Sequence, residues 1–380
     1  MANISDITKA FRKSVGSFSV LESPLAKITG TLDTGCYAIN RVVSGSIYSG
    51  IPEGRIIDIY GESQSGKSWL AANIISDALK NKGYQRVFYF DSEGGALFDL
   101  LEKNGIDLEL IEHVPVHSTE DCKIKMVQLY DALAKAAKEH NEKPEENEMP
   151  KVLCILDSFG MLESDKVVTD ATKDKTAADM GANARAKNSM MKVLAMRVVE
   201  SNCGLIVINQ IYRNPGALFA SKVIDQPGGE GLKFASHVML PMSKLLIKAN
   251  DDEYLTGKEQ DGQGVGFFKG NRIRAFCCKN RVVKPAFEAT MFIDFNNGIS
   301  KYDGLIEDAI KYGFIEEVRG GFKVPSYSDK KVTYRELVNS DEIWNTFIKD
   351  FDKKSIEMMS YSNGISKELD ALEENATEIE

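Results

Sequence analysis

Residues 61–68 read Gly-Glu-Ser-Gln-Ser-Gly-Lys-Ser, which fits the phosphate-loop pattern G-x-x-x-x-G-K-[ST]. The apolar run 55–60 precedes this stretch and a helical pattern follows it, which is the strand, loop and helix order that the motif requires. Glycines let such a loop curl so that its N–H groups face an anion, and Lys67 can reach the β- and γ-phosphates of a nucleotide. Ser68 is then expected to hold Mg²⁺. The alternative is a glycine- and serine-rich turn before a capped helix. The residues predicted to bind the nucleotide are Gly61, Glu62, Ser63, Gln64, Ser65, Gly66, Lys67, Ser68 and Trp69.

Three more apolar runs alternate with helical patterns after the loop, at Val87–Phe90, Val152–Asp157 and Leu205–Gln210. Continuous rather than alternating apolar runs are typical of parallel strands that are covered on both faces. The pattern predicts a doubly wound α/β sheet whose ligands bind outside the carboxyl ends of the strands. Further strands are expected at Val238–Lys248, Arg272–Arg281 and Ala289–Phe295.

Polar side chains stand where three of these strands end. A carboxylate at Asp157 can orient the Mg²⁺ shell, and one at Glu93 can position and deprotonate a water molecule. An amide at Gln210 can bind a γ-phosphate and report the state of the nucleotide to the segment that follows. The alternatives are helix caps at Asp157 and at Asp91 or Glu93, and a plain strand-end amide at Gln210.

Composition restricts the class of protein. The chain has 380 residues and a net charge of −9, which by itself argues against a general nucleic-acid binder. No run of 18 uncharged apolar residues and no signal-peptide pattern occurs, so we expect a cytoplasmic protein without a membrane partner. The six cysteines show no C-x-x-C spacing and are interpreted as buried thiols, and the four histidines form no metal-ligand pattern. His113 and His117, on either side of Pro115, are interpreted as loop or core histidines.

Four regions are predicted along the chain. Residues 1–29 carry a short amphipathic helix followed by a polar linker, and such a detached helix often docks on a neighbouring protein. Residues 30–300 form the nucleotide-binding core, and residues 301–362 a small α/β lobe of short helices and strands. Residues 363–380 are an acidic tail that we expect to be disordered, and it could act as a brake if it covers a basic DNA-binding surface.

Taken in order, the motifs make the chain similar to the RecA family of homologous recombinases, especially the divergent forms carried by large bacteriophages. The similarity runs from about Ile28 to about Phe347. The segments that carry it are 54–61 leading into the phosphate loop, 91–93, 156–158, 180–185, 208–211, 228–234 and 279–285. Many proteins have a phosphate loop, but few have the last three segments in this order.

The resemblance implies a RecA-like ATPase core, with ATP and Mg²⁺ as the bound groups. Lys67 and Ser68 become the phosphate and Mg²⁺ ligands, Asp157 the second metal-site residue, Glu93 the catalytic carboxylate and Gln210 the γ-phosphate sensor. It also implies that Lys279 and Arg281 reach the nucleotide of the adjacent subunit and stabilise transition-state charge. On the residues alone, these two are alternating basic residues on an exposed strand.

The family places its first DNA loop before Met180 and its second loop between Ile211 and Gly229. Arg185 and Lys192 lie seven residues apart on one helix face, where they can contact phosphates. The remaining residues expected to bind DNA are Arg213, Lys222, Gly228 and Gly229.

The resulting hypothesis is a DNA-dependent ATPase that forms helical filaments on single-stranded DNA, pairs it with homologous duplex DNA and exchanges strands. Residues 1–29 then serve oligomerisation, and a mediator and a single-strand-binding protein are expected partners. Two alternatives remain open at this point. One is a hexameric helicase-type ATPase on the same core, and the other is a non-catalytic recombinase paralogue that acts as a loader.

Overall fold

A computed structural model describes residues 3–15, 17, 19, 23, 28–94, 98–172, 180–213, 224–225, 229–246, 255–256 and 267–361. The helices are α1 Ile4–Val15, α2 Tyr37–Ser44, α3 Lys67–Asn81, α4 Phe98–Lys103, α5 Thr119–Glu142, α6 Asp165–Thr172, α7 Met180–Ser201, α8 Glu230–Ala235, α9 Ile306–Lys311, α10 Tyr334–Asn339, α11 Asp341–Asn345 and α12 Ile348–Met359. The strands are β1 Thr31–Leu32, β2 Ile51–Pro52, β3 Ile56–Gly61, β4 Arg86–Asp91, β5 Ile111–Pro115, β6 Val152–Asp157, β7 Leu205–Gln210, β8 Tyr212–Arg213, β9 Ile224–Asp225, β10 Val238–Leu245, β11 Leu255–Thr256, β12 Phe267–Phe268, β13 Gly270–Cys277, β14 Lys279–Asn280, β15 Phe287–Asp294, β16 Gly298–Ile299, β17 Glu316–Val318, β18 Gly321–Val324 and β19 Ser328–Val332.

The central sheet has the strand order β5-β4-β6-β7-β3-β10-β13-β15-β16, with β14 paired to β10. The strands β5, β4, β6, β7, β3 and β10 are parallel, and β13, β15 and β16 extend the sheet in antiparallel fashion. Strands β17 to β19 form a separate small antiparallel sheet. The predicted fold class is therefore confirmed: a mostly parallel α/β sheet flanked by helices, with a small C-terminal α/β lobe.

Both faces of the inner parallel strands β3, β6 and β7 are buried, which explains why these strands read as continuous apolar runs. In β3, Ile57 and Ile59 join the core cluster that contains helices α2 and α3. Ile56 of the same strand joins the opposite cluster, where Met126 of α5 and Leu194 of α7 pack. Alternate residues of β3 thus hold helices on the two opposite faces of the sheet.

One strand predicted from the sequence is divided in the structure. We expected a single strand over Arg272–Arg281, but β13 ends at Cys277 and β14 begins at Lys279. The reason is a shift of register along β10: Met242 pairs with Ala275, whereas Met239 pairs with Lys279, so one extra residue lies between the two pairings. The break allows one chain segment to follow β10 along its full length.

The C-terminal lobe shares its apolar core with the sheet. Trp344 and Phe351 are fully buried in the same cluster as α2 and α3. Arg41 of α2 forms an ion pair with Asp308 of α9. Among the described residues, no helix combines the length and the apolar composition that crossing a bilayer requires. The predicted acidic tail lies outside the described residues.

Candidate functional site

The phosphate loop connects β3 to α3 and is shaped by its two glycines. Gly66 has a φ of +84° and begins α3, a conformation that side-chain-bearing residues rarely adopt. A Cβ on Gly61 would lie 2.1 Å from the Met242 carbonyl oxygen, and one on Gly66 would lie 2.6 Å from Ile293 Cδ1. At Gly61 the backbone therefore lies too close to β10 for a side chain, whereas at Gly66 it is the positive φ that disfavours one.

Lys67 lies across its own loop. Its Nζ donates hydrogen bonds to the carbonyl oxygens of Gly61 at 3.0 Å and Glu62 at 2.8 Å. Burial lowers the pKa of Lys67, while the negative charges of Asp157 and Glu93 raise it. The site thus holds a buried cation beside two carboxylates, at the position where the loop can receive an anion.

The strand-end residues form one polar cluster. Glu93 Oε1 accepts hydrogen bonds from Ser158 Oγ at 2.5 Å and from Gln210 Nε2 at 3.0 Å. Asp157 Oδ2 accepts one from the Tyr89 hydroxyl at 2.5 Å. The strand register explains this proximity, because Gly61 pairs with Gln210 across β3 and β7, and Asp91 pairs with Asp157 across β4 and β6. Glu93 and Gln210, predicted separately, are in direct contact.

Asp157 is a carboxylate of this cluster whose surroundings raise its pKa. Burial raises the pKa of Asp157 to about 6, and the charges of Glu93 and Asp91 add to the increase. The hydrogen bond from Tyr89 and the charge of Lys67 oppose it. A cation that takes Asp157 as a ligand therefore competes with a proton in mildly acidic solution.

A cavity of about 500 Å³ opens over the loop, and its composition fits a nucleotide with Mg²⁺. Its walls are formed by Gln64, Ser65, Gly66, Lys67, Ser68, Trp69, Lys244, Asn271, Ile293 and Phe295. The loop offers backbone and a cation for phosphates, Ser68 offers an oxygen ligand for the metal, and Trp69 and Phe295 offer apolar surface for a base.

Sequence reasoning missed several members of this region. Lys244, Asn271 and Phe295 come from β10, β13 and the residue after β15. Nothing near them in the sequence indicates a nucleotide site. The pairing of β10 with β3 brings Lys244 to the loop, and the antiparallel strands β13 and β15 bring Asn271 and Phe295. Tyr89 is also unpredicted, because it reads as one more apolar residue of β4. Ser158 follows Asp157 directly in the sequence, so its position next to the cluster could have been inferred.

Lys279 and Arg281 contact the end of α8 in this protomer. Lys279 Nζ donates hydrogen bonds to the carbonyl oxygens of Lys233 and Phe234, and Arg281 Nη2 donates to the Phe234 oxygen at 2.8 Å. Cations at a helix carboxyl end are favourable because they satisfy exposed carbonyls and the helix dipole. Burial lowers the pKa of Lys279, and the neighbouring charge of Arg281 lowers it further.

The residues expected to bind DNA are only partly described. Arg185 and Lys192 both lie on the exposed side of α7. Gly229 has a φ of +71° and begins α8, which is joined to α7 by a hydrogen bond of 2.6 Å from the Gly231 N–H to Asn188 Oδ1. The backbone of Arg213 belongs to β8, while its side chain, Lys222 and Gly228 lie outside the described residues.

Comparisons with known proteins agree with this geometry. The family model of the RecA N-terminal domain matches residues 1–300. A recombination and repair protein of Enterobacteria phage T4 is 26% identical over 306 residues, which cover 80% of this chain and 69% of the phage protein. RecA of Clostridium tetani is 27% identical over 87% of this chain and 82% of its own length, and RecA of Aquifex aeolicus is 28% identical over 87% and 83%. The family match covers the phosphate loop, every parallel strand and the Lys279–Asn280 strand, and the chain therefore belongs to the RecA family.

Proposed function

We propose that the protein is a DNA-dependent ATPase that forms helical filaments on single-stranded DNA and catalyses homologous pairing and strand exchange. Its roles would lie in recombination, repair and recombination-dependent replication. The observation that carries this proposal is the contact of Glu93 with Gln210 beside Lys67. This contact joins a carboxylate suited to hydrolysis with an amide that directly precedes the expected DNA loop. The name of the phage T4 relative, a recombination and repair protein, agrees with it.

Each residue of the cluster has a proposed part in hydrolysis. Bound ATP would supply the γ-phosphoryl group that water attacks, and Mg²⁺ would neutralise phosphate charge. Lys67 neutralises phosphate charge, and Ser68 and Asp157 hold the metal. Glu93 orients the water and accepts its proton, and the hydrogen bond from Ser158 fixes the direction of the Glu93 carboxylate.

Gln210 is the proposed connection between nucleotide and DNA. It is the last residue of β7, and the segment that begins at Ile211 is the expected second DNA loop. An amide that exchanges Glu93 for a γ-phosphate oxygen shifts the end of β7 and hence the start of that loop. The affinity for DNA then depends on the state of the nucleotide.

We propose that Lys279 and Arg281 of one subunit complete the ATP site of the adjacent subunit. In one protomer they hold the carboxyl end of α8, the helix that begins at Gly229. In the filament they would face the neighbour's ATP, so that the same two cations border a nucleotide and a DNA-binding segment. This arrangement supports an active site that is completed only by assembly.

Helix α1 supports the proposed oligomerisation segment. None of its residues is buried, and Ile4, Ile7, Phe11 and Val15 are each more than half exposed. Their spacing of three and four residues places them on one helix face. The proposed partners are therefore further copies of this chain, single-stranded DNA and homologous duplex DNA. A mediator and a single-strand-binding protein are proposed as additional partners.

The test compares the wild type with Glu93→Gln in ATP hydrolysis and displacement-loop assays. We expect hydrolysis by the wild type to depend on single-stranded DNA, and the variant to lose it by about 10²-fold or more while still forming filaments with ATP. Glu317→Gln, a change of an exposed glutamate in β17, is the matched control and should act as the wild type. Unwinding without pairing would indicate a helicase-type ATPase instead. DNA binding without hydrolysis or pairing would indicate a non-catalytic paralogue.

A further inference from the structure

His113 contacts the strand that carries the candidate catalytic carboxylate. It lies on β5, the edge strand of the parallel sheet, and pairs in register with Tyr89 of β4. Its Nε2 is 3.0 Å from Asp91 Oδ2. The His113 side chain is 43% exposed, whereas that of Asp91 is 3% exposed. A buried carboxylate thus has an imidazole partner that reaches it from the edge of the sheet.

The other oxygen of the same carboxylate holds the turn that carries Glu93. Asp91 Oδ1 accepts hydrogen bonds from the backbone N–H groups of Glu93 and Gly94, both at 2.8 Å. The Asp91 carboxylate therefore contacts the His113 imidazole through one oxygen and the backbone turn at Glu93 through the other. Any rotation of the Asp91 carboxylate changes the position of the Glu93 backbone.

Helix α4, which follows the Glu93 turn in the chain, also contacts His113. Phe98, at the start of α4, packs edge-on against the His113 ring, with 5.0 Å between the ring centroids. The Phe98 ring also contacts Tyr89 at 5.5 Å, and the Tyr89 hydroxyl donates to Asp157. The His113 ring therefore contacts both Asp91 at the end of β4 and Phe98 at the start of α4.

We propose that His113 is a positioning residue for ATP hydrolysis, which orients Glu93 through Asp91; this inference rests on the proposed function. Donation from His113 Nε2 keeps Asp91 Oδ2 at the sheet edge and leaves Oδ1 directed at the turn. Without the donor, the carboxylate rotates and the turn loses the acceptor that sets the direction of Glu93. His113 itself does not reach the phosphate loop, so its loss affects the alignment of the water more than the binding of ATP.

The experiment compares His113→Leu and His113→Gln with the full-length wild type. In ATP hydrolysis stimulated by single-stranded DNA, His113→Leu should lower kcat by about tenfold or more and leave KM for ATP within about twofold, because misplacement of about 1 Å can cost up to about 10²-fold in rate. The glutamine amide can donate to Asp91, so His113→Gln should recover most of the loss. His117→Leu is the matched control, because His117 is also exposed and is separated from His113 only by residues 114–116.

Hydrogen exchange of the nucleotide-free protein supplies a readout that does not depend on activity. The Glu93 and Gly94 amides should exchange faster in His113→Leu, at the wild-type rate in His117→Leu, and close to it in His113→Gln. Unchanged exchange and kcat in His113→Leu would refute the positioning role, and so would a loss that His113→Gln fails to restore. If the wild type hydrolyses no ATP with DNA, the proposed function fails, while the exchange result still decides whether His113 holds the turn.

Discussion

At the scale of single residues, two partly buried side chains have pKa values that move in opposite senses. Burial raises the pKa of Asp157 to about 6, and it lowers that of His237 to about 4 together with the positive charges of Arg55, Arg281 and Lys279. The Asp157 contribution to stability is largest at low pH and is lost as the pH rises through 6. The His237 contribution is present above pH 6.5 and is lost as the pH falls toward 4.

Because these contributions oppose each other, Asp157→Asn should change the pH profile of stability. The variant keeps only the His237 effect, so its free energy of unfolding should rise, relative to the wild type, by up to about 3 kcal/mol between pH 4 and 7. Urea unfolding of the nucleotide-free protein measures this difference. Asp329→Asn, at an exposed position in β19, should follow the wild-type profile. Parallel curves for Asp157→Asn and the wild type would show that Asp157 titrates normally.

At the scale of elements, α1 is a helix that buries none of its residues against the part of the chain that the structure describes. It has 12 residues, a length at which an isolated helix is marginal in water. Its exposed apolar face must gain burial elsewhere to be stable. By contrast, α7 and α8 are stabilised by contacts within the protomer, including the Gly231–Asn188 hydrogen bond.

We therefore expect the double variant Ile7→Glu and Phe11→Glu to prevent self-assembly. Charges on the apolar face would make its burial against a second copy unfavourable, while the folded core, which buries no α1 residue, should keep its thermal midpoint. Sedimentation velocity and electron microscopy with single-stranded DNA provide the measurement. Lys9→Glu, on the other side of the helix, is the control and should still assemble. Normal filaments of the double variant would rule α1 out as the docking element.

At the scale of the whole molecule, a network of polar contacts holds the C-terminal lobe on the sheet. The Arg41 side chain is 2% exposed and pairs with Asp308, which is 21% exposed. Asp352 accepts a hydrogen bond of 2.7 Å from the Ile47 N–H, and Ser355 Oγ donates to the Gly45 carbonyl oxygen at 2.8 Å. We therefore expect the lobe and α2 to unfold together rather than as separate units.

Breaking the Arg41 pair should destabilise the whole protein. We expect Arg41→Met to lower the free energy of unfolding by about 3 kcal/mol, because Asp308 keeps its charge without its partner. The double variant Arg41→Met and Asp308→Leu should lose less than Arg41→Met alone. Arg274→Met breaks the exposed pair with Glu288 and serves as the control, with an expected loss below about 1 kcal/mol. Chemical denaturation with one transition would confirm joint unfolding, and two transitions would contradict it.

The sequence by itself determined the phosphate loop and the parallel strands, because both depend on local information. Strands β6 and β7 match the apolar runs that predicted them, and their polar ends indicated the site edge. Since parallel strands end at one edge of a sheet, the closeness of Glu93 and Gln210 could be inferred from the sequence.

Only the tertiary structure decided the contacts made across the strand order. Lys244 and Asn271 join the phosphate loop through β10 and β13, and His113 meets Asp91 because β5 pairs with β4. Lys279 holds the end of α8, 46 residues earlier in the chain, instead of lying free on an exposed strand. These contacts depend on which strands are neighbours and in which register, and that choice is made by the burial of the whole core rather than by any local pattern.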